Sequence, residues 1–184
     1  MPWWFWALVA FLVAASYVVA TSNRLDRLHA RIDATRAALD AQLLRRAAVT
    51  LEIAASGLLD PATSLLLASA GHGSLASSGA EREADESALS VALRAAFGEA
   101  DAAAVLSAEP SGADLLAELE AACTKVPLAR RFFNDAVRAT LAVRRHRVVR
   151  WLRLAGRVPA PTFFETDDEP PAAVIAANGR AAST

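Results

Sequence analysis

The sequence predicts an all-α protein: a single N-terminal transmembrane helix followed by an antiparallel bundle of long helices. Three observations predict it. Pro2 to Ala20 (PWWFWALVAFLVAASYVVA) holds no charged residue. From Leu25 to Leu58, apolar residues return at the three- and four-residue intervals of one helix face. Only 8 Gly and 8 Pro occur in 184 residues, alanine is abundant and β-branched runs are scarce, a composition that favours helix. The chain therefore divides into an anchor (1–23), a helical body (24–157) with a flexible loop at 71–80, and a proline-rich acidic tail (158–184) that is mostly disordered.

At about 1.5 Å per residue, an apolar run of about 18 residues spans about 27 Å, close to the hydrocarbon thickness of a bilayer, about 30 Å. Two other readings compete with an uncleaved anchor, a removed secretory signal and a buried soluble helix. A signal wants Lys or Arg before its apolar centre, a centre of about 7–15 residues and a small-x-small cleavage site. Here no Lys or Arg precedes the run, and Val18-Val19-Ala20 is a poor cleavage match. Trp3, Trp4 and Trp6 suit the headgroup layer, where amphipathic indoles collect, and Phe11, Leu12 and Tyr17 continue the anchor. Arg24, Arg27, Arg31 and Arg36 follow the span on one side only. Cationic side chains beside a span stay in the cytoplasm, so the expected topology is a single pass of the cell membrane, N-terminus outside and bundle cytoplasmic.

The first long helix runs from Thr21 to about Leu58, with Leu25, Leu28, Ile32, Leu39, Leu43, Ala47, Leu51 and Ala54 on one face and no Gly or Pro before Gly57. It continues from the span without a breaker. Asp60-Pro61 restarts the chain, Asp as a cap and Pro at the first helical position, and predicts a short helix from Ala62 to about Ala70. GHGSLASSG at 71–79 reads as a loop, with His72 solvated rather than a ligand because no second ligand stands at a useful spacing. Glu81 to Ser107 is the next helix; it opens on Glu81, Glu83, Asp85 and Glu86, which suit the positive end of the helix dipole, and is weakened at Gly98. Glu109-Pro110-Ser111-Gly112 reads as a turn, and a last helix covers about Ala113 to Ala155, with a kink expected near Val126 because Pro127 removes a backbone bond. Its C-terminal arm buries Val137, Leu141, Val148, Leu152 and Ala155. Beyond it, Phe163 and Phe164 can fold back over the end of the bundle and bring the acidic tip near its arginines.

No catalytic, cofactor-binding or metal-ligating constellation is legible, and no small-molecule substrate is implied. There is no Gly-rich phosphate cradle, His-x-x-x-His pair, Cys/His pairing or nucleophile elbow. The single Cys123 excludes an internal disulfide. Net charge is −1, so the chain has no general attraction for nucleic acid or acidic lipid. The candidate basic surface is the last helix, with Arg144, Arg147, Arg150 and Arg153; Arg147, Arg150, Arg153 and Arg157 fan over the side away from its buried stripe. It offers phosphates a hold, but Trp151 is the only aromatic in that arm, which argues against single-stranded nucleic acid.

Three segments are similar to the LemA family. Leu39-Asp40-Ala41-Gln42-Leu43-Leu44-Arg45-Arg46 resembles its Ile-Asp-Val-Gln-Leu-Lys-Arg-Arg stretch. Leu128-Ala129-Arg130-Arg131-Phe132-Phe133-Asn134-Asp135-Ala136-Val137 resembles its Ala-Arg-aromatic-Tyr-Asn-Asp-x-Val stretch, and Phe163-Phe164-Glu165 through Asp168-Glu169 its closing aromatic-acidic tail. Thr50-Leu51-Glu52 stands where that family has Pro-Asn-Leu, Cys123 where it tends to carry Glu, and its His-Glu pair is missing. The resemblance implies a membrane-bound helical bundle whose molecular activity is not established. Gln42, Arg45, Arg46, Arg130, Arg131, Phe133, Asn134 and Asp135 then carry the family motif. Two roles are open for them: a buried Arg-to-carboxylate clamp between the long helices, in which Arg45-Arg46 and Arg130-Arg131 flank the Asn134-Asp135 pair, or a partner surface.

The expected function is therefore a non-enzymatic membrane scaffold or adaptor for an unidentified protein partner or a second copy. The alternatives are a binder of nucleic acid or acidic lipid through the Arg-rich helix, and an exported bundle cut from its N-terminal segment.

Overall fold

The computed structural model describes residues 3–79, 81–98, 100–145 and 159–175. All secondary structure among them is helical: α1 (Trp3–Ala55), α2 (Pro61–Ala76), α3 (Arg82–Phe97), α4 (Ala100–Ala108) and α5 (Pro110–Arg144). The chain divides into two compact units, Met1–Arg36 with Phe132–Phe163 and Ala37–Arg131 with Phe164–Thr184, so that α1 and α5 each give residues to both.

The absence of Gly and Pro from Trp3 to Ser56 leaves α1 uninterrupted. Thr21 and Thr35 donate their hydroxyls back to the carbonyls of Tyr17 and Arg31, at 2.8 and 2.9 Å, so neither needs a partner outside the helix. The helix stops at Gly57, whose φ of +72° is a left-handed conformation that side-chain-bearing residues adopt only at a cost. Asp60 then caps α2 as expected, its Oδ1 accepting the amides of Ala62 and Thr63 at 3.0 Å each, ahead of Pro61 at the first helical position.

The second unit contains the principal core. Ala47, Val49 and Ile53 of α1 meet Leu67 of α2, Leu89, Leu93 and Phe97 of α3, Ala103 and Leu106 of α4, Leu116, Leu119 and Cys123 of α5, and Val174. Each fully buried Leu or Phe contributes about 1.5–3 kcal/mol relative to exposure. The stripe read along α1 is the inward face: Leu25, Leu39, Leu43 and Ala47 are buried, and Leu28, Ile32, Leu51 and Ala54 half-buried. In the first unit Leu25 and Val143 form a small apolar contact with Leu28 packed against it.

Four sequence expectations are corrected. The stretch at 71–76 is helix, not flexible loop: Gly71 is buried, and a Cβ there would lie 2.9 Å from Leu51 of α1, so the missing side chain lets α2 approach α1 closely. The helix foreseen over Glu81–Ser107 divides at Gly98 into α3 and α4. Pro110 opens α5 rather than sitting in a turn before it, because a first helical position needs no amide donor. Residues 159–171 have no helix or strand, yet Phe164 and Pro171 are buried, and a single helical turn at 172–175 carries Val174 into the core. This part of the tail is packed rather than disordered. At Pro127, α5 continues through the proline; the Cys123 carbonyl loses its helical donor there while the helix runs on.

Gly112, near the start of α5, tests the closeness of this packing. A Cβ there would collide with the Leu106 carbonyl oxygen and lie 3.0 Å from the Leu106 carbonyl carbon and 2.9 Å from Leu58 Cδ1. Backbone cannot swing aside as a side chain does, so Gly112→Ala is expected to destabilise by about 1–3 kcal/mol. A Cβ at Gly73, inside α2, meets nothing within 4 Å. Gly73→Ala is therefore the control, expected to match or exceed the native urea midpoint followed by far-ultraviolet circular dichroism.

Candidate functional site

Among the described residues Arg46 is the largest fully buried side chain, 2 % exposed, and the core around it is built to hold a charge. Its Nη2 donates to Glu86 Oε2 at 2.8 Å and to the Glu86 carbonyl at 3.1 Å, and its Nη1 to Ser90 Oγ at 3.0 Å. Ser74 of α2 donates to the other oxygen of Glu86, Oε1, at 2.9 Å. One ion pair thus ties α1 to α3, with α2 joined through a serine. Helical spacing explains the arrangement: Arg46 shares the inward face with Leu39, Leu43 and Ala47, and Glu86 with Leu89 and Leu93. Cys123 lies in the same interior. Burial pushes its thiol up to about 11, against a smaller opposing pull from Arg46, so it is protonated and a poor nucleophile at neutral pH.

The clamp predicted for the arginine pairs has different partners. Arg46 pairs with Glu86, Arg45 with Glu118 and Arg130 with Asp168, while Asp135 takes Arg138 one turn along its own helix at 2.6 Å. Asn134 and Gln42 are half-buried, Arg131 is exposed and Phe133 is buried. The Arg36 guanidinium stands 5.6 Å from the centre of the Phe133 ring, in range for a cation–π contact. Arg24, Arg27 and Arg31 are exposed along α1. The anchor residues Trp3, Trp4, Trp6, Phe11, Leu12 and Tyr17 are all exposed, Trp3 to 82 %, with Phe5 and Trp6 in an edge-to-face pair. Arg144 is half-buried and donates to the Pro159 carbonyl at 3.0 Å; Arg147, Arg150 and Arg153 lie outside the described residues.

Nothing in the spacing of the sequence marks Glu86, Ser74, Ser90 or Arg94 as partners. Glu86 was legible only as one of a run of acids at a helix start. Arg94 grips Asp167 through both terminal nitrogens and donates to the Glu169 carbonyl at 3.0 Å. Arg130 takes Asp168 in a two-pronged pair, Nε at 2.6 Å and Nη2 at 3.1 Å. The Arg94 guanidinium, helped by the Glu169 amide, holds the Asp167 carboxyl below the usual carboxylate range. A lowered native pKa stabilises above the unfolded value and stops doing so as pH falls through the lowered one. The hold on Asp167 is thus complete at neutral pH and is lost only in acid.

A groove of about 610 Å³ opens between the α1–α2 turn and the α3–α4 junction, with Asp60 and Asp101 on its wall; Asp60 is committed to its cap. Among the described residues no three His, Cys, Asp or Glu side chains gather as metal ligands. His72 points its Nδ1 at the Ala68 carbonyl of its own helix, 2.7 Å away.

Fold and site together define an all-helical protein with one long apolar N-terminal helix and a charge pair sealed in its core. No model of a known protein family, no curated protein and no solved structure matches the chain.

Proposed function

We propose that this chain is a single-span protein of the cell membrane, of LemA-like antiparallel build, whose helical body lies on the cytoplasmic side and holds a protein partner or a second copy without catalysing a reaction. The observation that supports this reading is the division of labour along α1. One stretch of eighteen residues near its start is apolar with none of it buried, while the far end supplies Ala47, Val49 and Ile53 to the core. A helix surface that is apolar and uncovered by protein is matched by lipid. The exposed arginines that follow it, Arg24, Arg27 and Arg31, favour the cytoplasmic body. An adaptor is favoured over an enzyme because the buried charges are engaged with one another, and the buried thiol is held protonated.

Reporters fused after Ser22 and after Thr184, read alongside cross-linking in intact cells, test the proposal. The Thr184 fusion is expected to report cytoplasm and the cross-linked chain to migrate with a discrete partner or as a dimer. A Thr184 reporter outside the cell removes the orientation, and a chain that cross-links to nothing removes the adaptor role.

A further inference from the structure

Residues 164–171 have neither helix nor strand, so side chains of α3 and α5 dictate their path. Consecutive residues are read in turn. The Glu165 amide donates to Glu83 Oε1 at 3.2 Å and the Asp167 amide to Ser87 Oγ at 3.1 Å, with the Thr166 hydroxyl 3.0 Å from the same Ser87 oxygen. Arg94 then takes the Asp167 carboxylate, and Arg130 that of Asp168. Phe164, three residues before the acid pair, is buried.

Alternate engagement of backbone amides and side chains, with two planar forks each matched to a carboxylate, is how a groove recognises an extended acidic peptide. The Arg94 half of the polar seat is also exchangeable, while Asp168, 13 % exposed, is held more closely by Arg130. Asp167 is 42 % exposed and Arg94 29 %, and ion pairs so open to water hold weakly. The segment stays in place through its two apolar plugs, Phe164 and Val174, and through being covalently attached, which presents it at an effective concentration on the order of millimolar.

We propose that the seat on α3 and α5 is a binding site for an extended acidic segment of a partner protein, of the pattern aromatic-x-x-acid-acid, which the chain's own Phe164-Glu165-Thr166-Asp167-Asp168 fills as a tethered competitor. The complementary charge of Arg94 and Arg130 selects that chemistry over a basic or neutral peptide. This deepens the adaptor reading and rests on it for the source of the partner.

The test uses the full chain in detergent micelles and a fluorescein-labelled peptide of residues 161–175, followed by polarisation. Wild type is expected to bind weakly, because the attached segment competes. The D167N/D168N chain, whose own segment is loosened while both plugs are kept, is expected to bind about tenfold more tightly. Adding R130E should abolish that gain, and a peptide carrying Asp168→Arg should restore binding to the R130E chain, which a misfolded seat would not allow. Equal binding by wild type and D167N/D168N overturns the proposal, as does indifference to R130E. A second measurement needs no variant: peptide with a photo-reactive analogue at the Thr166 position, whose native hydroxyl stands 3.0 Å from Ser87 Oγ, in excess over wild type, should label α3, and labelling elsewhere or nowhere overturns it. A chain that binds peptide in micelles yet yields no partner in cells keeps the site and loses the adaptor. Partner capture without peptide binding does the reverse.

Discussion

Arg46→Met is expected to lower the free energy of unfolding by about 3–5 kcal/mol. Methionine fills much of the same volume, so the loss comes from charge. Glu86, 1 % exposed, would keep the Ser74 hydroxyl at 2.9 Å but lose the cation that faces its other oxygen. A carboxylate left alone in a low-dielectric interior costs far more than the ion pair contributes beyond an apolar pair. The double replacement Arg46→Met with Glu86→Leu should therefore recover most of the loss and fall within about 1–2 kcal/mol of wild type. Ser90 already donates to the Glu86 carbonyl at 3.1 Å, so its hydroxyl is not stranded by either change. Urea unfolding in micelles, followed by circular dichroism, reads all three chains. If the double variant is as unstable as the single one, the loss reflects packing shape and not an orphaned charge.

The same pair marks the boundary of what was legible in the sequence. Wherever an element is decided by its own residues, reading along the chain was enough. The α1 stripe from Leu25 through Ala54, the Asp60-Pro61 start of α2 and the absence of strands among the described residues all follow from spacing, caps and composition, which are local properties. Partner choice is not local. Arg45-Arg46 and Arg130-Arg131 were matched with Asn134-Asp135 because those residues share similar motifs, but a motif carries no distance. Glu86, one acid among four near the start of α3, is the one that its helical turn carries into the core beside Leu89.

The other differences have the same origin. GHGSLA looks like a loop because glycine lowers helix propensity, by about 1 kcal/mol per residue. Tertiary packing overrides that penalty where the bare Cα of Gly71 lets two helices approach. PTFFETDDEPP looks unstructured because proline and acid clusters do, and by itself it has no reason to order. Arg94 and Arg130, 73 and 38 residues away from the acids they hold, supply the reason. What the sequence showed as a set of charges, the fold sorts into one sealed pair and one open seat.

A pair of aspartates in the middle of the apolar stretch, Val9→Asp with Val13→Asp, is expected to remove the chain from the membrane. Both valines are exposed on α1, one turn apart, so neither change disturbs a buried contact. The body should keep its helices, because its core is formed by residues from Ala47 onward. Each aspartate near the centre of a span costs about 2.5–3.5 kcal/mol to insert, so two cost about 5–7 kcal/mol, more than a thousandfold in the insertion equilibrium. The measurement is the fraction resisting alkaline carbonate extraction, together with intact mass. Wild type should stay in the pellet with its N-terminal residues retained, and the variant should leave it. A soluble wild-type chain of full mass would mean that the apolar stretch is covered by protein in the cell. A shortened chain would mean that the segment is a signal removed after export. A variant that stays in the pellet would place the membrane attachment elsewhere in the chain, and the uncovered face of α1 would then need another occupant.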